Sequence, residues 1–176
     1  MVVSLYNRIF MSEAGFCFHN DPHPILSTDG LRSCIGFAGW EPNKKIGFLV
    51  HFFTPEQVVD FQNRGIQILS EMTEMDSSTF DCVTVGGCLK TSYSLKIVEA
   101  IRAIKLPSHL SFQVKEEPIS KTFELKSLSL DTRTGDFGEY RVEEDPDPRE
   151  LEEDEKQAYL GIDSLNKLSY RCINNL

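Results

Sequence analysis

The chain has 176 residues, of which 40% are hydrophobic and 26% charged, as is typical of a globular domain that buries its own core. Its net charge is −9, and residues 143–156 contribute −7 of this through nine acidic and two basic residues. This negative net charge excludes the basic surface that is typical of a nucleic-acid-binding protein. No apolar run reaches the ~20 residues that a membrane helix requires, so we expect no membrane span.

Five cysteines, an odd number with no C-x-x-C pair, indicate reduced thiols rather than a disulfide framework. Residues 1–10 lack the features of a secretory signal peptide. We therefore predict a cytoplasmic protein. Export by a specialised secretion machine, which would make the chain an effector in a host cell, stays open.

Apolar periodicity predicts strands in chain order over residues 31–40, 46–53, 79–85, 111–117, 121–130 and 136–142. Residues 1–27 contain Pro22 and Pro24 and are predicted to form no regular element. Residues 31–40 and 46–53 are predicted to form a hairpin, because only a short turn with Pro42 near its head separates them.

Two helices are predicted between the strands. The first begins with Thr54 as N-cap, Pro55 at the first position and Gln57 completing a capping box, and it runs to about Met75. The second places isoleucines at helical spacing on one face and ends before Pro107.

These elements predict a layered α/β sandwich, with mostly antiparallel or mixed sheets flanked by two main helices. We place one domain over residues 1–142. Residues 143–176 are predicted to be an acidic linker followed by a C-terminal helix over 158–176.

Cys34 and His51 lie at corresponding places in the predicted hairpin. A two-residue turn at positions 42–43 would pair residues whose numbers sum to 85, which sets Cys34 directly opposite His51 with Cβ atoms ~5 Å apart. An imidazole at that distance can take the thiol proton and produce a nucleophilic thiolate. Thr28 could orient the imidazole, and backbone N–H groups around Ser33 could bind an oxyanion. The alternative is that Cys34 and His51 are two core residues.

The same stretch resembles the chemoreceptor glutamine deamidases of the CheD family. That family's hallmark is a Leu-Gly-Ser-Cys-Val segment preceded by Thr and followed by a strand ending in His, and residues 28–35 and 45–51 are similar to it. The resemblance implies an α/β sandwich, no cofactor, and conversion of glutamine to glutamate in a protein substrate, with Cys34, His51 and Thr28 as catalytic residues. It extends to deamidase toxins of the cytotoxic necrotizing and lethal factor types.

Further positions are candidates for the oxyanion or substrate site. Val85 to Cys88 is similar to the family's Gly-Gly-Ala segment, which makes Gly86 and Gly87 candidates beside Ser33 and Arg32. Arg32 replaces the family's Gly. Residues 92–96 replace its Ile-Gly-x-Arg-Asn motif, and residues 118–123 replace its Gly-Gly-x-x-Gly-Arg stretch.

These departures leave three alternatives open. The chain is a protein-glutamine deamidase acting on chemoreceptors or a host protein, a non-catalytic CheD-like module that binds a signalling partner, or another cysteine hydrolase with the same dyad. The oligomeric state is not predicted. Cys17, His19, Asp21 and His23 alternate in sequence, but the prolines beside them favour a polar loop, and no metal site is predicted.

Overall fold

The structure, a computed structural model, describes residues 4–140 and 166–172. Ten strands build two sheets. The strands are β1 (Tyr6–Arg8), β2 (Glu13–Phe18), β3 (Ile25–Thr28), β4 (Ile35–Glu41), β5 (Ile46–Phe52), β6 (Ser78–Gly86), β7 (Leu110–Glu116), β8 (Leu128–Asp131), β9 (Asp136–Gly138) and β10 (Ser169–Cys172).

Two helical stretches connect these strands. The first runs without a break through α1 (Pro55–Asp60), a π-helical turn (Phe61–Gly65) and α2 (Ile66–Met72), and the second is α3 (Ser92–Arg102). The predicted capping box is confirmed, because the Gln57 side chain accepts the backbone N–H groups of Phe53 and Thr54 at 2.8 and 3.4 Å. No helix in the described ranges is long and apolar enough to cross a membrane.

The larger sheet has the order β10-β2-β5-β4-β6-β7, with antiparallel pairs in its middle and a parallel pair at each edge. The smaller sheet has the order β1-β3-β8-β9. The helices cover one face of the larger sheet, and the smaller sheet covers part of the other face. The predicted fold class, a layered α/β sandwich with mixed sheets and two main helices, is confirmed.

The β5 strand is buried on both faces and separates the two cores. Its even-numbered residues, such as Phe48, pack against the helices, whereas its odd-numbered residues, such as Leu49, pack towards the smaller sheet. This follows from the two-residue period of a strand. The helix-side core is largely aromatic, and the Phe48 ring lies within 6 Å of the rings of Phe37, Phe61 and Phe80.

Three local predictions are wrong. Residues 1–27 contain three strands, because the prolines fall in the loop between β2 and β3 rather than inside them. Residues 121–127 do not extend β8, since its partner β3 ends at Thr28, which pairs with Leu128. Residues 169–172 form a strand parallel to β2 instead of part of a helix. Residues 166–168 are likewise not helical, and residues 158–165 and 173–176 of the predicted helix, like the linker, lie outside the described residues.

The Phe48 ring tests the helix-side core. We expect Phe48→Ala to lower the free energy of unfolding by ~3–5 kcal/mol, because it removes a fully buried ring from a packed aromatic cluster. Urea denaturation measures the loss. Val59→Ala is the control, since that side chain is 57% exposed, and it should change the free energy by less than ~0.5 kcal/mol. Equal losses in the two variants would contradict the assigned core.

Candidate active site

The three predicted catalytic residues all lie at the layer between the two sheets. His51 is an odd-numbered residue of β5, Cys34 immediately precedes β4, and Thr28 ends β3 of the smaller sheet. Each is at most 5% exposed. Cys34 packs in the same core cluster as Leu31, Val85 and Leu128. The fold therefore brings one residue each of β3 and β5, and the residue before β4, into one buried layer.

The predicted hairpin register is wrong by two residues. Glu41 pairs with Ile46, and His51 lies opposite Gly36, so paired numbers sum to 87. The turn is longer because the buried Glu41 carboxylate accepts the Lys44 N–H at 2.6 Å and holds a four-residue loop. Because the shift is an even number, Cys34 keeps the same face as His51 and lies diagonal to it instead of directly opposite.

A short hydrogen bond joins Thr28 to His51 across the two sheets. The Thr28 Oγ1 and His51 Nδ1 atoms are 2.8 Å apart. The other ring nitrogen, Nε2, is buried and makes no hydrogen bond within the described residues, so no hydrogen bond joins it to Cys34. If Nδ1 carries the proton and donates it to Thr28, the Nε2 lone pair is left to accept a proton.

Burial controls the protonation of this imidazole. It lowers the pKa of His51 from 6.5 to about 4, since the low-dielectric surroundings disfavour the charged form. His51 is therefore neutral at physiological pH. Burial also raises the pKa of the Cys17 thiol to about 12 and that of Cys82 well above its usual value, so both remain thiols.

Ser94, in the first turn of α3, holds the loop that carries Cys34. Its hydroxyl donates to the Ser33 carbonyl at 2.8 Å and accepts the Cys88 N–H at 3.0 Å. A trans peptide is planar and directs its C=O and N–H to opposite sides. Fixing the Ser33 carbonyl towards Ser94 therefore aims the Cys34 N–H away from α3.

The candidate glycines pack directly against this loop. Gly86 and Gly87 both have positive φ angles, +98° and +86°, which favour glycine. A Cβ on Gly86 would lie 2.7 Å from the Cys34 carbonyl oxygen, and one on Gly87 would lie 2.7 Å from the Ile35 side chain. Gly86 needs glycine because of its φ angle and the close backbone oxygen, whereas Gly87 needs it because of its φ angle, since the Ile35 side chain could shift.

The remaining candidates, Arg32 and Ser33, lie in the same loop. The Arg32 side chain is exposed, which suits contact with a substrate rather than a place in the buried site. Ser33 is partly buried, and its carbonyl is the group that Ser94 holds.

An ion pair supports the segment after Thr28. The buried Arg8 guanidinium lies 3.1 Å from the Asp29 carboxylate and 5.0 Å from the centroid of the Tyr140 ring. It ties β1 to the end of β3, next to the threonine that contacts His51. Sequence reasoning missed Arg8 and Ser94, because neither stands near the Cys–His pair in sequence.

A cavity of about 550 Å³ lies beside the site. Val85 and Leu128 line it and also belong to the cluster that contains Cys34. Asp29 forms part of its wall, and Leu125 and Lys126 extend the lining towards the surface. Thr28, Cys34 and His51 are not among its lining residues, so the cavity adjoins the buried layer without reaching the three side chains in the resting structure.

The alternating Cys–His–Asp–His segment does not gather into a site. Cys17 is buried and its thiol lies near Thr132, His19 is exposed, Asp21 accepts the Phe18 N–H, and the His23 ring nitrogen donates to the Ser4 carbonyl. Within the described residues no group of three or more His, Cys, Asp or Glu side chains could hold a metal ion.

The lowered pKa of His51 predicts a pH-dependent stability. Above pH 6.5 His51 is neutral in both the folded and the unfolded chain. Between pH 6.5 and pH 4 the unfolded chain binds a proton at this residue, whereas the folded chain does not. Stability should therefore fall by about 3 kcal/mol between pH 6.5 and pH 4 through this group. Urea denaturation across this range should show a weaker pH dependence in His51→Gln, whereas the exposed control His19→Gln should match the wild type. An unchanged slope in His51→Gln would contradict this assignment.

Ser94→Ala should destabilise the protein by ~1–3 kcal/mol, because it leaves the Ser33 carbonyl and the Cys88 N–H without the hydroxyl that now pairs them. Ser92→Ala, at an exposed position at the start of the same helix, is the control and should have little effect. Denaturant titration compares the two. A loss as small as that of Ser92→Ala would show that the hydroxyl does not hold the loop.

Comparison with known proteins gives one partial likeness and no matching family model. The chain is 34% identical over 59 residues to the probable chemoreceptor glutamine deamidase CheD 2 of Anaeromyxobacter dehalogenans (strain 2CP-C). The match covers 28% of this chain and 37% of that protein, so it spans little more than a third of the relative's length. Part of this chain is therefore similar to a CheD protein, and the likeness to deamidase toxins stays a prediction.

Proposed function

We propose that the chain is a cysteine-dependent deamidase that converts protein glutamine to glutamate, with Cys34, His51 and Thr28 as its catalytic residues. The observation that carries the proposal is the 2.8 Å hydrogen bond between Thr28 and His51 in the layer that also contains Cys34. A third group that orients an imidazole beside a thiol is the arrangement that nucleophilic acyl transfer requires. The partial likeness to a CheD protein supports the same reaction.

In the first half of the reaction, His51 Nε2 takes the proton of the Cys34 thiol. The thiolate then attacks the side-chain amide carbon of the glutamine and forms a tetrahedral oxyanion. As this intermediate collapses, the imidazolium gives its proton to the amine, and ammonia leaves. Thr28 keeps Nδ1 engaged, so that Nε2 is the atom that exchanges the proton.

In the second half, His51 removes a proton from a water molecule, which attacks the thioester carbon. The C–S bond breaks, the proton returns to the Cys34 sulfur, and glutamate is released. Both tetrahedral intermediates need hydrogen-bond donors. The Cys34 N–H is our candidate donor, because Ser94 fixes the preceding peptide plane.

The substrate that we propose is a chemoreceptor-type protein, because the partly similar relative is a probable chemoreceptor glutamine deamidase. Action on a host protein after export stays a prediction from the sequence.

One observation favours the alternative of a non-catalytic binding module. Cys34 is only 5% exposed, and no hydrogen bond joins it to His51 Nε2 in the described residues. Catalytic hydrogen bonds often tighten only when substrate binds, so this geometry is compatible with both functions. Ammonia release from a glutamine-bearing protein separates them, because only the deamidase turns its bound partner over.

Deamidation should depend on all three residues. We expect Cys34→Ala and His51→Ala to abolish ammonia release and the amide-to-acid mass change on a glutamine-bearing protein. Thr28→Val should lower kcat by about 10–100-fold, since the imidazole loses the group that orients it. Mass spectrometry of the substrate measures all three.

The matched control is Cys17→Ala, which removes another buried thiol from the same layer, near Thr132. It should leave kcat unchanged. Full activity in Cys34→Ala, or no deamidation by the wild type of any glutamine-bearing protein or peptide, would refute the proposed function.

A further inference from the structure

Two exposed segments meet at the loop that carries Cys34. The Leu31 N–H donates to the Lys126 carbonyl at 3.0 Å, and the Leu89 N–H donates to the Ser120 carbonyl at 2.9 Å. Ser94 ties residues 88–94 to the same loop through the Ser33 carbonyl. Backbone and side-chain hydrogen bonds therefore fix residues 88–94 and 118–126 around the nucleophile.

These segments expose large apolar side chains. Leu89 is 45% exposed, Phe123 is 52% exposed and Leu125 is 63% exposed. Leu125 also lines the cavity beside the site. Exposed apolar groups concentrated at one place indicate a surface that another molecule covers.

The same surface carries an excess of positive charge. The side chains of Arg32, Lys90 and Lys121 form no ion pair within residues 4–140 and 166–172, and Lys90 Nζ lies 6.0 Å from the centroid of the Phe123 ring. Glu117 pairs with Lys126, and Glu124 accepts the Thr122 hydroxyl and remains negatively charged. Four basic side chains (Arg32, Lys90, Lys121 and Lys126) against these two acids still leave a net charge of about +2. Because the whole chain has a net charge of −9, this local positive charge favours a binding role for the surface. We call this surface the basic rim: Arg32, Leu89, Lys90, Lys121, Phe123 and Leu125.

We propose that the basic rim binds the glutamine-bearing segment of the substrate protein, and that this segment carries acidic and apolar side chains beside the glutamine. The inference rests on the proposed function for the identity of its occupant. The apolar rim residues would take the substrate's apolar side chains, and the lysines and Arg32 would pair with its carboxylates. The glutamine side chain would then enter through the cavity that Leu125 borders.

Binding to the full chain carrying Cys34→Ala tests the rim without turnover. The probes are short fluorescent peptides with a central glutamine: one flanked by Leu and Glu, one with Lys in place of Glu, and one with Ser in place of Leu. Fluorescence anisotropy should give the first peptide ~10-fold or higher affinity than the lysine peptide, since each exposed ion pair contributes up to ~1 kcal/mol. Added salt should reduce this preference.

Rim substitutions should change binding in a way that matched controls do not. The pair Lys90→Glu and Lys121→Glu should remove or reverse the preference for the acidic peptide. The pair Phe123→Ser and Leu125→Ser should weaken the acidic and the lysine peptides alike. The control substitutions are Lys105→Glu, which lies after the end of α3, and Val59→Ser, which lies on α1. Both variants should bind the peptides with the same affinity as the parent protein.

Three results would overturn the proposal: equal affinity for the acidic and lysine peptides, equal affinity for the Leu and Ser peptides, or tighter peptide binding after rim substitution. The last would mean that the rim is occupied by the chain's own acidic stretch, residues 143–156.

Ammonia release by the wild type separates this inference from the proposed function. Binding without turnover would refute the deamidase alone, and turnover of all peptides at equal kcat/KM would refute the rim alone.

Discussion

The residues of β5 alternate between two buried layers, and the position of the candidate site depends on this alternation. Even-numbered side chains such as Phe48 fill the aromatic core under the helices, and odd-numbered ones enter the layer between the sheets. His51 therefore faces the smaller sheet, where β3 ends at Thr28. A one-residue slip would place the imidazole among phenylalanines and move the β5 phenylalanines into the layer between the sheets, so core packing holds the register that the site needs.

The predictions that depend on local sequence patterns were correct, and those that depend on tertiary contacts were not. Strand periodicity and the capping box were visible locally, and the fold class followed from them. The hairpin register was wrong because the turn depends on the buried Glu41 carboxylate, a tertiary feature that no local pattern reveals. The face of Cys34 was still predicted correctly, since an even shift preserves it. The contacts of Arg8 and Ser94 join residues more than twenty positions apart, so only the folded chain shows them.

Burial has two opposed effects on the proposed chemistry. It keeps His51 neutral at physiological pH, which leaves a lone pair able to accept a proton. It also makes a separated thiolate and imidazolium costly, because two charges in a low-dielectric layer are favourable only in close contact. In the resting structure no hydrogen bond joins His51 Nε2 to Cys34. Proton transfer is therefore expected when a bound substrate brings the two groups together, which makes substrate docking part of the activation.

The departures from the CheD pattern lie where docking would occur. Arg32 and Phe123 belong to the basic rim, and each replaces a specified residue of the pattern that the sequence resembles, whereas Lys121 stands at an unspecified position of it. Ser94 lies within another replaced motif, and its hydroxyl holds the Ser33 carbonyl. The buried positions Thr28, Cys34 and His51 keep the residue types of the pattern. A chain that retained the reaction while changing its partner would diverge in this way, because buried geometry sets the chemistry and the exposed rim selects the substrate.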